Sequence, residues 1–95
     1  MDKWPKSDKQ GLGDQFVRAM DSVSANISEG YVRIHVKERL YFFSIATGSL
    51  EETIRHLRRA RERNLVTQLE SFTLFELIIK LSKGLDRLAK TQKPN

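Results

Sequence analysis

The chain has 95 residues, no cysteine, and 17 lysines and arginines against 12 acidic residues, which gives a net charge of +5. The length predicts one small domain over residues 1–95, and the composition excludes disulfides and cysteine metal sites, so we expect a cytoplasmic protein. No apolar run approaches the roughly 18 residues of a membrane span, and we expect no membrane association.

The first predicted helix covers residues 12–29, where apolar side chains recur at alternating steps of four and three. These apolar positions are Phe16, Met20, Val23 and Ile27. The polar residues 1–10 contain Pro5, whose ring disfavours helical geometry in the residue before it, so we expect an extended lead-in. Gly30 is expected to end the helix with a positive φ, which glycine adopts without steric cost.

The second and third predicted helices cover residues 36–63 and 68–90. The apolar positions of the second helix, which is roughly 42 Å long, are Val36, Leu40, Phe43, Thr47, Leu50, Ile54 and Leu57. Those of the third are Leu74, Ile78, Leu81, Leu85 and Leu88. Asn64 is a plausible helix stop, and Thr67 with Glu70 forms the pattern of a capping box. Because the connectors are short, the sequence predicts an all-α, antiparallel up-down bundle with short polar tails.

Positive charge is concentrated near the end of the second predicted helix. Only one acid, Glu62, accompanies the five arginines there, which are Arg55, Arg58, Arg59, Arg61 and Arg63. Guanidinium groups bind phosphates through paired hydrogen bonds, and several on one face bind a nucleic-acid backbone by releasing counterions. Cations near a helix C-terminus also complement the helix dipole, so a solvated surface or salt bridges between subunits is the alternative interpretation.

Arg33 and Lys37, in and just after the connector between the first two helices, are further candidates for nucleic-acid contacts. No aromatic residue lies among the arginines of residues 55–63. Any binding there is therefore predicted to follow the backbone or shape of RNA or DNA rather than its bases.

The chain resembles a known family in two segments, DSVSANISEG (21–30) and ATGSLEE (46–52). Lys37, Glu38 and Phe42 belong to the same resemblance. The chain resembles the bacterial four-helix bundle family, also called the 23S rRNA intervening-sequence protein family, from about residue 4 to residue 88. The resemblance implies an antiparallel helical bundle and a ring-like homopentamer, with little chemistry. It also implies a further helix before Trp4, so that three of the four family helices are expected here and part of the apolar surface is left for another subunit.

The residues of these segments have structural interpretations. Asn26, beside the apolar Ile27, is predicted to fix helix register by a hydrogen bond to a neighbouring helix. Glu29 and Glu38 flank the connector, where Glu38 favours the positive end of the second helix. Gly48 and Ser49 are small residues that would let another helix approach closely, and Gly30 ends the first helix.

The sequence predicts no catalytic residue, metal site or cofactor. Glu52 and His56 share a helix face, but one carboxylate and one imidazole are too few for a transition metal, so we expect a surface contact. The serines of residues 22–28 lack a spaced base and an orienting acid, which gives nucleophilic catalysis no support.

Two functions follow from the sequence. The first is a non-enzymatic, oligomeric helical bundle that acts as a scaffold or interaction module and binds RNA or DNA through its arginine-rich face. The alternative is a purely protein–protein scaffold without nucleic-acid binding. Neither identifies a specific partner or process.

Overall fold

The structure, a computed structural model, describes residues 3–92. Its elements are helix α1 (Lys6–Asp8), a π-helical turn (Lys9–Gly13) and helices α2 (Asp14–Tyr31), α3 (Val36–Glu62) and α4 (Gln68–Lys90). The described residues contain no strand, and the three long helices confirm the predicted all-α bundle. The predicted polar tails fall partly outside the described residues.

The extended lead-in predicted for residues 1–10 is wrong from Lys6 onward, and residues 1 and 2 lie outside the described part. Helical structure begins directly after Pro5, which has a φ of −53° and a ψ of 146°. The carbonyl of Pro5 accepts a hydrogen bond from the N–H of Lys9 at 3.0 Å. Pro5 is the N-cap residue, and its missing N–H leaves nothing unpaired because the first N–H groups of a helix have no intrahelical acceptor. Pro5 therefore marks a helix start.

The predicted positive-φ end at Gly30 is also wrong. Gly30 lies inside α2, which continues to Tyr31 and is followed by Val32 at φ −85° and ψ −5°. A Cβ on Gly30 would lie 2.6 Å from Cε1 of Phe43, closer than such atoms approach. The glycine is needed because an aromatic ring of α3 packs directly against the backbone of α2.

The end of α3 confirms the helix stop predicted at Asn64. Asn64 has a φ of 58°, and its N–H donates to the carbonyl of Arg61 at 3.1 Å. The N–H of Leu65 donates to the carbonyl of Ala60 at 2.9 Å. These two bonds form a Schellman motif, which satisfies carbonyls that the helix end would leave unpaired.

The start of α4 confirms the predicted capping box. The carboxylate of Glu70 accepts from the backbone N–H of Thr67 at 2.8 Å, and the hydroxyl of Thr67 accepts from the backbone N–H of Glu70 at 3.1 Å. Hydrogen bonds from the backbone and side chain of Thr67 lower the pKa of Glu70 below its ordinary value of 4.5, because they favour the charged carboxylate.

Helix α3 lies between α2 and α4 and packs against both. No Cα of α2 comes within 8 Å of a Cα of α4, and the Cα positions span 50 by 23 by 16 Å, so the helices form a thin, elongated layer. The central core cluster is Val23, Phe43, Ala46, Leu50, Leu57, Ile78 and Leu85. Leu81 belongs to the predicted apolar series but is 44% exposed, because it faces the open groove between α2 and α4.

Candidate nucleic-acid interface

All five arginines between residues 55 and 63 are exposed at one end of α3. Arg63 forms an ion pair with Asp8 of α1, with Nη1 and Oδ1 3.1 Å apart. Within the described part of the chain, none of the other four arginines forms an ion pair with an acidic side chain. These four guanidinium groups, Arg55, Arg58, Arg59 and Arg61, keep their donors available for an anionic partner.

These four arginines project from α3 on two different sides. Arg58 and Arg61 line a groove of about 340 Å³ between α3 and α4. Arg55 and Arg59, one turn apart, are exposed outside this groove and lie on the outer face of α3. The cluster is therefore a ridge with one side turned towards α4.

Two aromatic residues of α4 lie beside the arginines of α3. The spacing of residues along α3 alone did not predict this neighbourhood. Phe72 and Phe75 of α4 line the same groove as Arg58 and Arg61. Phe72 is 62% exposed and Phe75 is 42% exposed. The antiparallel packing of α3 and α4 places these residues side by side although they are distant in sequence. In the sequence, only the three-residue spacing of the two phenylalanines on the predicted third helix indicated that they share a helix face.

Arg33 and Lys37 lie at the opposite end of α3 from the arginine cluster. At about 1.5 Å per residue, Lys37 and Arg59 are about 33 Å apart along the helix. Arg33 is already engaged, since it pairs with Glu29 and its guanidinium carbon lies 4.9 Å above the ring centre of Phe42. The two candidates at the connector thus do not share a surface with the arginines of residues 55–63.

Asn26 and Ser49 belong to a small polar network between α2 and α3. The side-chain amide of Asn26 donates to the backbone carbonyl of Ser22 at 2.8 Å and to its hydroxyl at 3.1 Å. The hydroxyl oxygens of Ser22 and Ser49 are 2.8 Å apart. Among the described residues, Asn26 is linked to α3 through Ser22 and makes no direct hydrogen bond to that helix of the kind the sequence suggested.

The other signature residues have separate local roles. Glu29 pairs with Arg33, one turn along the chain, and Glu38 lies in the first turn of α3, as expected. Of the two small residues, Ser49 is buried and contacts Ser22 of α2. Gly48 is exposed, and a Cβ there would meet no atom of another element within 4 Å in the described part of the chain.

The surface contact predicted for Glu52 and His56 is wrong for the histidine. His56 is only 6% exposed, because it lies on the inner face of α3. Its Nε2 is 3.5 Å from Oε1 of Glu52, and neither ring nitrogen has a hydrogen-bond partner within the described residues. Those residues contain no cluster of three or more histidine, aspartate or glutamate side chains that could hold a metal ion. Within the same part of the chain, no helix is both long and apolar enough to cross a membrane.

Comparison with known proteins identifies the family to which the chain belongs. No curated protein and no solved structure is similar enough to the chain to give a significant match. The model of the 23S rRNA-intervening sequence protein family matches residues 1–87, which include α1, α2, α3 and most of α4. The chain belongs to the family of 23S rRNA-intervening sequence proteins.

Proposed function

We propose that this protein is a non-enzymatic, self-associating helical module that binds the phosphate backbone of RNA or DNA through the arginine ridge of α3. The observation that carries the proposal is a set of four exposed arginines that have no acidic partner among residues 3–92, namely Arg55, Arg58, Arg59 and Arg61. A helix dipole does not require so many cations in its last turns, and each arginine that neutralises a phosphate releases a condensed counterion.

Self-association is supported by the open groove between α2 and α4. Apolar side chains line most of it, including Phe16, Met20, Leu77 and Leu81. Leu77 is 52% exposed and Leu81 is 44% exposed. Exposed apolar surface of this kind favours association, and an apolar face of a second copy would remove it from water. The family resemblance implies five copies, arranged as a ring.

Titration of a fluorescent RNA hairpin at two salt concentrations tests the binding proposal. We expect affinity to fall steeply with salt, by about 0.9 logarithmic units per logarithmic unit of salt for each phosphate neutralised on a duplex. Reversing two charges on the ridge with Arg55→Glu and Arg59→Glu should abolish binding and leave the assembly intact. If this variant still binds the hairpin, the proposal is wrong.

The matched control is the double variant Lys83→Glu and Arg87→Glu. Both residues are exposed on α4, outside the ridge, and the net charge changes by the same amount as in the ridge variant. We expect this control to bind the hairpin almost as well as the unchanged protein. Equal losses in the two variants would mean that net charge, and not the ridge, determines binding.

A purely protein-binding scaffold is the second candidate, and the apolar groove between α2 and α4 favours it. Light scattering on the purified protein gives the assembly mass, and Leu77→Glu with Leu81→Glu should lower it. A defined oligomer that binds no RNA at either salt concentration would leave the scaffold as the better account. A monomer would contradict self-association.

A further inference from the structure

The groove between α3 and α4 combines positive charge with aromatic rings. Arg58 and Arg61 line it from α3, and Phe72 and Phe75 line it from α4, together with Gln68 and Ser71. None of the residues that line it is acidic. We call this the cationic–aromatic groove.

The packing of the helices does not bury the two phenylalanines fully. Phe72 is 62% exposed, and neither ring forms an aromatic pair or a cation–π contact within the described residues. An exposed phenylalanine leaves apolar area in water, which is unfavourable in proportion to that area. A flat apolar partner that covers the rings would remove this cost.

The polar side chains in the groove also have unused hydrogen-bonding capacity. Within the described residues, the amide of Gln68 and the hydroxyl of Ser71 make no side-chain hydrogen bond, and Arg58 and Arg61 make no ion pair. An amide and a hydroxyl can both donate and accept, whereas arginine only donates. The groove therefore offers donors for an anion beside groups that can pair with a mixed donor and acceptor edge.

The ligand chemistry that matches this combination is an unpaired nucleotide. Its base has an apolar π-face for Phe72 or Phe75 and a polar edge for Gln68, while its phosphate complements Arg58 or Arg61. Bases in a duplex are stacked inside the helix and do not present their faces, so aromatic side chains select single strands, loops and bulges.

The cationic–aromatic groove is separate from the apolar groove between α2 and α4. The two grooves share no lining residue, because Leu77 and Leu81 lie on the opposite side of α4 from Phe72 and Phe75. Association of copies through the apolar groove would leave the cationic–aromatic groove open. One side of α4 can thus contact another copy of the protein while the opposite side binds a ligand.

We propose that the cationic–aromatic groove binds unpaired bases of single-stranded or looped RNA or DNA by stacking on Phe72 and Phe75. This inference rests on the proposed nucleic-acid binding and adds a preference for unpaired bases. It differs from the expectation from sequence that contacts follow the backbone or shape, because the aromatic rings come from a neighbouring helix.

The test compares a single-stranded RNA with a fully paired duplex of the same number of phosphates. The variant Phe72→Leu with Phe75→Leu keeps apolar side chains and removes both π-faces. We expect its affinity for the single strand to fall about tenfold for each ring removed, while its affinity for the duplex stays within about twofold. Phe72→Tyr with Phe75→Trp retains the π-faces and should keep single-strand binding, which controls for changes in packing.

The other outcomes separate this inference from the proposed function. Equal binding of single strand and duplex, unaffected by the leucine variant, would overturn the stacking proposal and leave binding by the arginine ridge standing. Absence of binding to both RNAs by the unchanged protein would overturn both. If the leucine variant instead changes the mass in light scattering and leaves RNA affinity intact, the groove is a contact between copies, which also overturns the proposal.

Discussion

The hydroxyl oxygens of Ser22 and Ser49 lie 2.8 Å apart across the interface between α2 and α3. Ala46 and Thr53, small buried residues about one turn before and after Ser49, lie on the same face of α3. They let the two helices approach closely, and the serine pair supplies a directional contact within an otherwise apolar interface. The pair therefore favours one alignment of α2 along α3.

Ser49→Ala should lower the free energy of unfolding by about 1 kcal/mol, since it removes the hydrogen bond across the interface. Urea denaturation of Ser22→Ala, Ser49→Ala and the double variant measures the effect. We expect the double variant to lose less than the sum of the single variants, because the two hydroxyls act as a pair. Simple additivity would contradict a direct interaction.

Gly30→Ala should lower the free energy of unfolding by about 1 to 3 kcal/mol, since the new methyl group overlaps the ring of Phe43. Phe43 is 2% exposed and is enclosed by the core, so its ring has little room to move. Thermal unfolding followed by circular dichroism measures the change.

Gly48→Ala is the matched control for Gly30→Ala. Gly48 also lies inside a long helix, but among the described residues a methyl group there meets no atom within 4 Å beyond its chain neighbours and its own helix backbone. Alanine is the better helix former, so this variant should be more stable by up to about 1 kcal/mol. Destabilisation by both variants to the same degree would show that contact with Phe43 is not the cause.

Thr67→Ala should destabilise the protein by about 1 kcal/mol, because it removes half of the capping box. The low pKa of Glu70 adds a pH dependence. A carboxyl whose pKa is lower in the folded than in the unfolded state stabilises the fold above the unfolded pKa, and this contribution is lost as the pH falls through the folded pKa.

Glu70→Gln isolates that pH dependence, since glutamine keeps the hydrogen bond to Thr67 and does not titrate. Melting temperatures of both proteins between about pH 3 and about pH 7 should differ most at the upper end of the range and converge below the folded pKa of Glu70. A constant difference over the whole range would exclude Glu70 as a source of the acid sensitivity.

Local sequence signals predicted the elements whose causes are local. The helix stop at Asn64 and the capping box of Thr67 and Glu70 depend on a few consecutive residues, and both predictions are confirmed. The role of Gly30 was missed because it depends on Phe43, a residue of another helix. For the same reason, the sequence did not indicate that Phe72 lies beside the arginines.

His56→Leu should raise the free energy of unfolding by about 1 kcal/mol, because it removes two buried ring nitrogens that have no hydrogen-bond partner within the described residues and puts an apolar side chain of similar size in their place. Urea denaturation near neutral pH measures the change. His35→Leu is the control, since His35 is exposed and gains nothing from losing its nitrogens. A loss of stability in His56→Leu would show that the imidazole has a partner, such as a bound water molecule.

The position of a basic residue along α3 should determine its effect on RNA binding if the arginine ridge is the interface. Arg59→Glu and Lys37→Glu change the charge by the same amount in the same helix, at positions about 33 Å apart along its axis. Affinity for the fluorescent hairpin should fall at least about tenfold in Arg59→Glu, together with the slope of affinity against salt, because phosphate contacts are lost. Lys37→Glu should change affinity by less than about threefold, since beyond a Debye length of about 10 Å at moderate salt a charge is largely screened. Equal losses would place the connector end of α3 within the interface and show that the bound RNA spans the whole length of the helix.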